Sequence, residues 1–194
     1  AQAGYHVIAP DQRGYGQTTG WDADYDGDLS AFRMLNIVHD AVALTAALGL
    51  RDVGAVVGHD FGSTGAAFAA LIRPDIFKSC VMMSAPFSGP PALPLGAPSE
   101  TLNISAVSGR PKFLDDLAAL PRPRKHYHWY YSTRDANPNM HGAPQGVHDF
   151  LRAYYHHKSA DWKDNKPFRL AAWRAEELAK LPTYYVMDLD KGMA

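Results

Sequence analysis

A chain of 194 residues that is 46% hydrophobic buries a sizeable core and falls outside the disordered class; one domain with a substantial insertion is the expected organisation. Its net charge of −1 offers no electrostatic footprint for DNA, RNA or an acidic membrane surface, so the expected partner is small and uncharged. No apolar run approaches the roughly 20 residues needed to cross a bilayer, and no signal peptide is visible. Cys80, the single cysteine, reads as a small buried hydrophobe that cannot form an intrachain disulfide, which suits a reducing cytoplasm.

In chain order, Tyr5-His6-Val7-Ile8-Ala9 predicts a first strand, stopped by Pro10 and followed by the Gly-containing turn Asp11-Gln12-Arg13-Gly14-Tyr15-Gly16. A loop runs to about residue 28. Ser30 is the expected N-cap of a helix from Ala31 to Leu48, in which Met34, Leu35, Val38, Val42, Thr45 and Leu48 recur at helical spacing before Gly49 ends it. A strand over 53–57, a turn, a helix to Ile72, a break at Pro74 and a strand over 79–84 come next. The order β-α-β-α-β with short connections predicts a parallel sheet covered by helices, an α/β fold. From Ser88 the texture changes. Gly89, Pro90, Pro91, Pro94, Gly96 and Pro98 make a linker, and the remainder of the chain is helical patches rich in Tyr, His and Trp, with no clear strand until 183–187. Residues 1–88 are therefore read as a partial core and 89–194 as an incomplete inserted lid, with both ends of the chain looking cut.

The chemistry concentrates at Val56-Val57-Gly58-His59-Asp60-Phe61-Gly62-Ser63, which leads into the small-residue run Thr64-Gly65-Ala66-Ala67-Phe68-Ala69-Ala70. This reads as strand, sharp turn, helix, matching the G-x-S-x-G elbow with Asp60 in place of the serine. Gly58 and Gly62 are expected to remove Cβ atoms that would clash at the bend. A carboxylate nucleophile forms an ester when it attacks a saturated carbon bearing a strained oxygen or a halide, so the elbow points to epoxide opening or dehalogenation and not to ester hydrolysis. The plainer reading of Asp60 is a helix N-cap accepting backbone N–H bonds.

Other patterns carry less. Asp22-Ala23-Asp24-Tyr25-Asp26-Gly27-Asp28 copies the first half of an EF-hand loop, but Arg33 occupies the twelfth position where a bidentate Glu belongs. Gly14, Gly16 and Gly20 read as turn residues, with Arg13 pairing with Asp11 or another carboxylate. His126, His128, His156 and His157 lack zinc-like spacing with Cys or carboxylates, so no metal and no organic cofactor is expected. His141-Gly142-Ala143-Pro144 is a turn rather than an oxyanion loop, since such a loop precedes the strand before the elbow.

Ala9-Pro10-Asp11-Gln12-Arg13-Gly14-Tyr15-Gly16, Val57-Gly58-His59-Asp60-Phe61-Gly62-Ser63 and Ser84-Ala85-Pro86-Phe87, in that order, resemble the core of the α/β-hydrolase epoxide hydrolases. The resemblance covers roughly the first ninety residues. It implies an α/β-hydrolase fold truncated at both ends, with an inserted helical lid. It also implies Asp60 as nucleophile and the backbone N–H of Phe61 as half of an oxyanion hole. Lys125-His126-Tyr127-His128-Trp129-Tyr130-Tyr131 looks like the lid motif that holds one of the family's two ring-opening tyrosines, by position Tyr127. Tyr130 and Tyr131 compete with it, and packing of the lid is the plainer role for all three. His59, His128, Trp129, Tyr130 and Tyr131 are the further candidates for a substrate pocket. A phenol suits the donor role because an opening epoxide develops an alkoxide that needs a proton.

The family's water-activating His, its acidic partner, the H-G-x-P loop and the second lid tyrosine are all expected outside this chain or are not identifiable in it. The reading is then an epoxide hydrolase taking a small apolar epoxide to a vicinal diol, with no nucleic acid or membrane partner. The oligomeric state stays open, a dimer included. Two alternatives remain. One is a dehalogenase with the same Asp60, for which Phe61 is a poor neighbour and Trp129 a helpful one. The other is a binding protein that keeps the elbow only as architecture.

Overall fold

Small side chains let a helix lie close to a strand, and the Ala- and Gly-rich run after residue 60 does this in the computed structural model, which describes residues 2–87, 89 and 111–194. The chain divides into two compact units, Ala1–Leu95 and Gly96–Ala194. The expected linker lies outside the described residues except for Gly89.

In the first unit a 3-10 turn (Leu29–Phe32) precedes α1 (Met34–Ala47), then β1 (Val56–His59), α2 (Phe61–Ile72) and β2 (Cys80–Met83). The strands β1 and β2 are parallel, with Val56 opposite Cys80 and His59 opposite Met83, and a bridge between Val53 and Phe77 extends the pairing. Val38 of α1, Ala69 of α2, Ile76 and Phe77 form the core, with Val42, Val53, Val56 and Phe68 packed on it. Each fully buried side chain of the size of Val, Ile or Phe contributes about 1.5–3 kcal/mol. Val57 and Val81, on the same two strands, stay exposed.

The helices end for legible reasons. At the end of α1, Gly49 takes φ +70°, and the amides of Gly49 and Leu50 donate to the carbonyls of Ala46 and Thr45. At the end of α2, Arg73 leaves helical geometry at φ −129° and ψ 61°, as the residue before a proline tends to do.

Three expectations need correction. Residues 5–9 join no strand among the described residues, and Tyr5, Val7 and Ile8 are exposed. A β-rich composition makes a strand only where a neighbouring strand completes the ladder. Ser30 is not the N-cap of α1: Asp28 caps the 3-10 turn by accepting the Ser30 amide, and Arg33 precedes α1 without a side-chain cap bond. Leu35 and Leu48 sit on the flank of the α1 stripe and are exposed, while Val38 and Thr45 are buried. Arg13 finds its carboxylate in Asp40 of α1, with Nε and Nη2 2.9 and 2.6 Å from the two oxygens, which ties the 11–16 turn to the helix.

The second unit contains α3 (Lys112–Ala118), β3 (Arg124–His126), α4 (Tyr127–Tyr131), α5 (Ala136–His141), α6 (Val147–His156), α7 (Ala175–Leu178) and β4 (Val186–Asp188). β3 and β4 pair antiparallel, with Arg124 opposite Asp188 and His126 opposite Val186. β3 was not expected from the sequence. Its residues Arg-Lys-His lack apolar alternation, and what holds it is the buried Arg124, whose Nε donates to the carbonyls of Val186 (2.9 Å) and Met187 (3.2 Å). The expected late strand is shifted to Val186–Asp188. Leu114, Leu117, Ala175, Leu178 and Val186 form one core cluster of this unit, and Tyr130, Ala136 and Met187 another.

Candidate active site

The turn between β1 and α2 is held by backbone and by one hydroxyl. Asp60 takes φ 54° and ψ −121°, a conformation L side chains adopt rarely and at a cost of about 1–3 kcal/mol. Its amide donates to Met83 O at 3.0 Å and its carbonyl accepts from Ser63 N at 2.9 Å, so both backbone groups are engaged at the bend. The Asp60 side chain makes no capping hydrogen bond to α2 and is exposed. A carboxylate placed at a helix N-terminus and not spent on capping remains available for other chemistry.

The glycines divide their roles differently from the expectation. A Cβ on Gly58 would lie 2.0 Å from the carbonyl oxygen of Gly62 and 2.6 Å from the Ser63 nitrogen, so the bend closes onto bare backbone there. A Cβ on Gly62 would meet nothing within 4 Å. Gly62 matters through its carbonyl, as the group Gly58 makes room for. Phe61 opens α2 with its ring 69% exposed, and its amide stands at the positive end of the helix. His59, the last residue of β1, is exposed opposite Met83.

In the second unit Tyr127 starts α4, its amide bonded to Tyr185 O at 2.9 Å. Its half-buried ring packs against those of His126, His128, Tyr131 and Tyr185 at 4.1–5.4 Å between centroids. With Phe113, His128, Trp129, Trp173 and Tyr185 it lines a largely aromatic cavity of about 490 Å³. His126 lines the same cavity, and burial together with the neighbouring His128 pushes its pKa below the ordinary imidazole value. Of the other candidates, Tyr130 is buried with its hydroxyl donating to Asn139 Oδ1 at 2.7 Å, and Tyr131 directs its hydroxyl to Tyr154. The structure thus gathers Tyr127, His128 and Trp129 at one cavity and turns the two other tyrosines to different partners. Sequence reasoning missed Phe113, Trp173 and Tyr185, which come from distant segments.

The sequence model of the alpha/beta hydrolase fold matches residues 1–186. The chain belongs to the alpha/beta hydrolase fold family. Within that family it is similar to an epoxide hydrolase of Caballeronia sordidicola, 42% identical over 87 residues, which are 45% of this chain and 25% of that protein. Epoxide hydrolase 3 of Siraitia grosvenorii is 39% identical over 87 residues, 45% of this chain and 26% of that one. Epoxide hydrolase B of Mycobacterium tuberculosis is 37% identical over 89 residues, 46% and 23% of the two chains. Each matched stretch spans about a quarter of the curated relative. A solved epoxide hydrolase from an endophytic Streptomyces is 30% identical with a TM-score of 0.49, covering 74% of this chain and 36% of the other. Among the described residues no helix is long and apolar enough to cross a membrane.

Proposed function

We propose that the chain carries the nucleophile of an epoxide hydrolase that converts a small apolar epoxide to a vicinal diol. An Asp60 carboxylate oxygen attacks an oxirane carbon, the C–O bond breaks, and the alkoxide takes a proton from a phenol, for which Tyr127 is the first candidate. This leaves a 2-hydroxyalkyl ester on Asp60. Water then attacks the ester carbonyl, the Phe61 amide stabilises the oxyanion, and the diol departs as the carboxylate is restored, the remaining proton of the water returning to the phenolate left by ring opening. The resemblance implies that a His activates this water; no residue of this chain is assigned that role.

The observation that carries the reading is Asp60 itself, a carboxylate on a positive-φ turn between a parallel strand and a helix that it does not cap. The similarity to proteins named epoxide hydrolases supports the choice of epoxide over halide. So does Phe61 after the nucleophile, which brings no side-chain donor for a halide. His128 and Trp129, beside Tyr127 at an aromatic cavity, are read as contacts for the apolar substituent, and residues 89–194 as lid. The lone, half-buried Cys80 fits a cytoplasmic setting. The test is mass spectrometry after incubation with styrene oxide, compared with an alkyl bromide. The reading expects an adduct on Asp60, lost in Asp60→Asn, and formed faster with the epoxide. An adduct only with the bromide overturns it in favour of dehalogenation.

A further inference from the structure

The cavity in the second unit is assembled from separate segments: Phe113 from α3, His126 from β3, Tyr127 and Trp129 from α4, Trp173 from the stretch before α7 and Tyr185 from the turn before β4. Its rings stand at steep angles to one another. Phe113 meets His126 at 5.9 Å between centroids and 88°, and Trp173 at 5.8 Å and 72°. Across the cavity lining, Tyr127 meets Tyr185 at 5.3 Å and 69°. Rings attract in this arrangement because the positive edge of one faces the negative face of the next. A crossed pair offers a further flat ring both a face and an edge, whereas a saturated ring of the same size finds only dispersion contacts there.

Charge narrows the occupant further. Among the described residues no carboxylate, ammonium or guanidinium lines the cavity, and burial holds the His126 pKa below the ordinary imidazole value, so that ring is uncharged at neutral pH. An ionised ligand entering here would lose its water without gaining a counter-charge. The volume of about 490 Å³ is that of a small-molecule site. Two of the indoles that line it keep much of their apolar surface in water, Trp129 at 42% and Trp173 at 66% exposure. A flat ligand laid against them removes that surface from solvent.

We propose that this cavity selects a neutral aryl group, and that Phe113 and Trp173 set its preference for an aromatic ring over a saturated ring of the same size. The inference rests on the epoxide reading for what the ring is attached to, an oxirane before reaction and a diol after it. The choice of ring comes from the cavity.

The test uses diols, which cannot alkylate Asp60. The full chain is titrated at neutral pH with phenylethanediol, the diol of styrene oxide, and with cyclohexylethanediol, and binding is followed by NMR through the ring protons of His126 and His128, which report contact at this cavity. The phenyl compound is expected to bind about tenfold more tightly, although the cyclohexyl compound is the more hydrophobic. Phe113→Leu and Trp173→Leu keep an apolar side chain and remove the ring, and each is expected to cut the preference to about threefold or less. Trp162→Leu, whose ring packs on His156 and His157, is expected to leave the preference unchanged. Equal binding of the two diols, no shift with either, or a preference that survives both leucine variants overturns the proposal. Tighter binding of benzyltrimethylammonium than of phenylethanediol also overturns it, in favour of a cage for cations. Alkylation of Asp60 by styrene oxide without the aryl preference would sink the selectivity and spare the epoxide reading. The aryl preference without alkylation of Asp60 would do the reverse.

Discussion

The hydroxyl of Ser63 stands 3.0 Å from the carbonyl oxygen of Met83, joining the first turn of α2 to the end of β2. The same oxygen is 3.0 Å from Gly58 O at the end of β1 and accepts the Met83 amide at 3.2 Å. One nearly inaccessible side chain therefore serves three backbone groups around the turn that presents Asp60. Ser63→Ala removes these bonds without adding bulk and leaves partly buried backbone groups less well satisfied. The expected loss of stability is about 1–2 kcal/mol in chemical denaturation. A loss near zero would show that the turn holds its shape without the hydroxyl.

The two elbow glycines should respond in opposite ways to the same change. Gly58→Ala puts a methyl group 2.0 Å from Gly62 O, a contact only backbone displacement relieves, so a loss of at least about 2 kcal/mol is expected. Gly62 lies inside α2 with open space where its Cβ would stand. Gly62→Ala is expected to be neutral or to stabilise by up to about 1 kcal/mol through helix propensity. Thermal unfolding of the pair decides it, and equal losses would refute the division of roles.

Asp60 holds its turn at the expense of local strain, and glycine adopts the same dihedral angles freely. Asp60→Gly should raise stability by about 1 kcal/mol while abolishing alkylation by styrene oxide. Stability that falls in this variant would mean that the carboxylate contributes to holding the turn.

The elbow was legible in the sequence because its constraints are local. A glycine beneath a tight bend, a polar residue at its tip and a small-residue helix after it all fall within a dozen positions. α1, α2 and the β1–β2 pairing were readable for the same reason, since helical periodicity and proline breaks act over short range. β3 was not, because three polar residues become a strand only when Arg124 reaches carbonyls more than sixty positions away. Residues 5–9 illustrate the converse, a strand-like composition without a ladder. Tyr127, Tyr130 and Tyr131 were visible as a group, but which partner each takes depends on α5 and α6. Asn139 takes Tyr130, and Tyr154 takes Tyr131.

His126 provides a pH test of the second unit. Its ring packs edge-on against Phe113 and close to Tyr127, Trp173 and His128, and its Nδ1 is approached by the His128 amide at 3.4 Å. Burial and the like charge of a protonated His128 both disfavour the imidazolium, so the folded pKa lies below the unfolded value of about 6.5. Above that pH neither state holds the extra proton and the group has no effect on stability. As the pH falls through about 6.5 the unfolded chain takes up the proton first, and stability declines until the folded ring also protonates. Phenylalanine keeps an aromatic ring there without the titrating nitrogens, so His126→Phe should flatten the decline in stability as the pH falls below about 6.5, relative to the unsubstituted chain. Denaturation midpoints of both proteins across that range provide the measurement. Parallel curves would mean that His126 titrates in the folded chain as it does in the unfolded one.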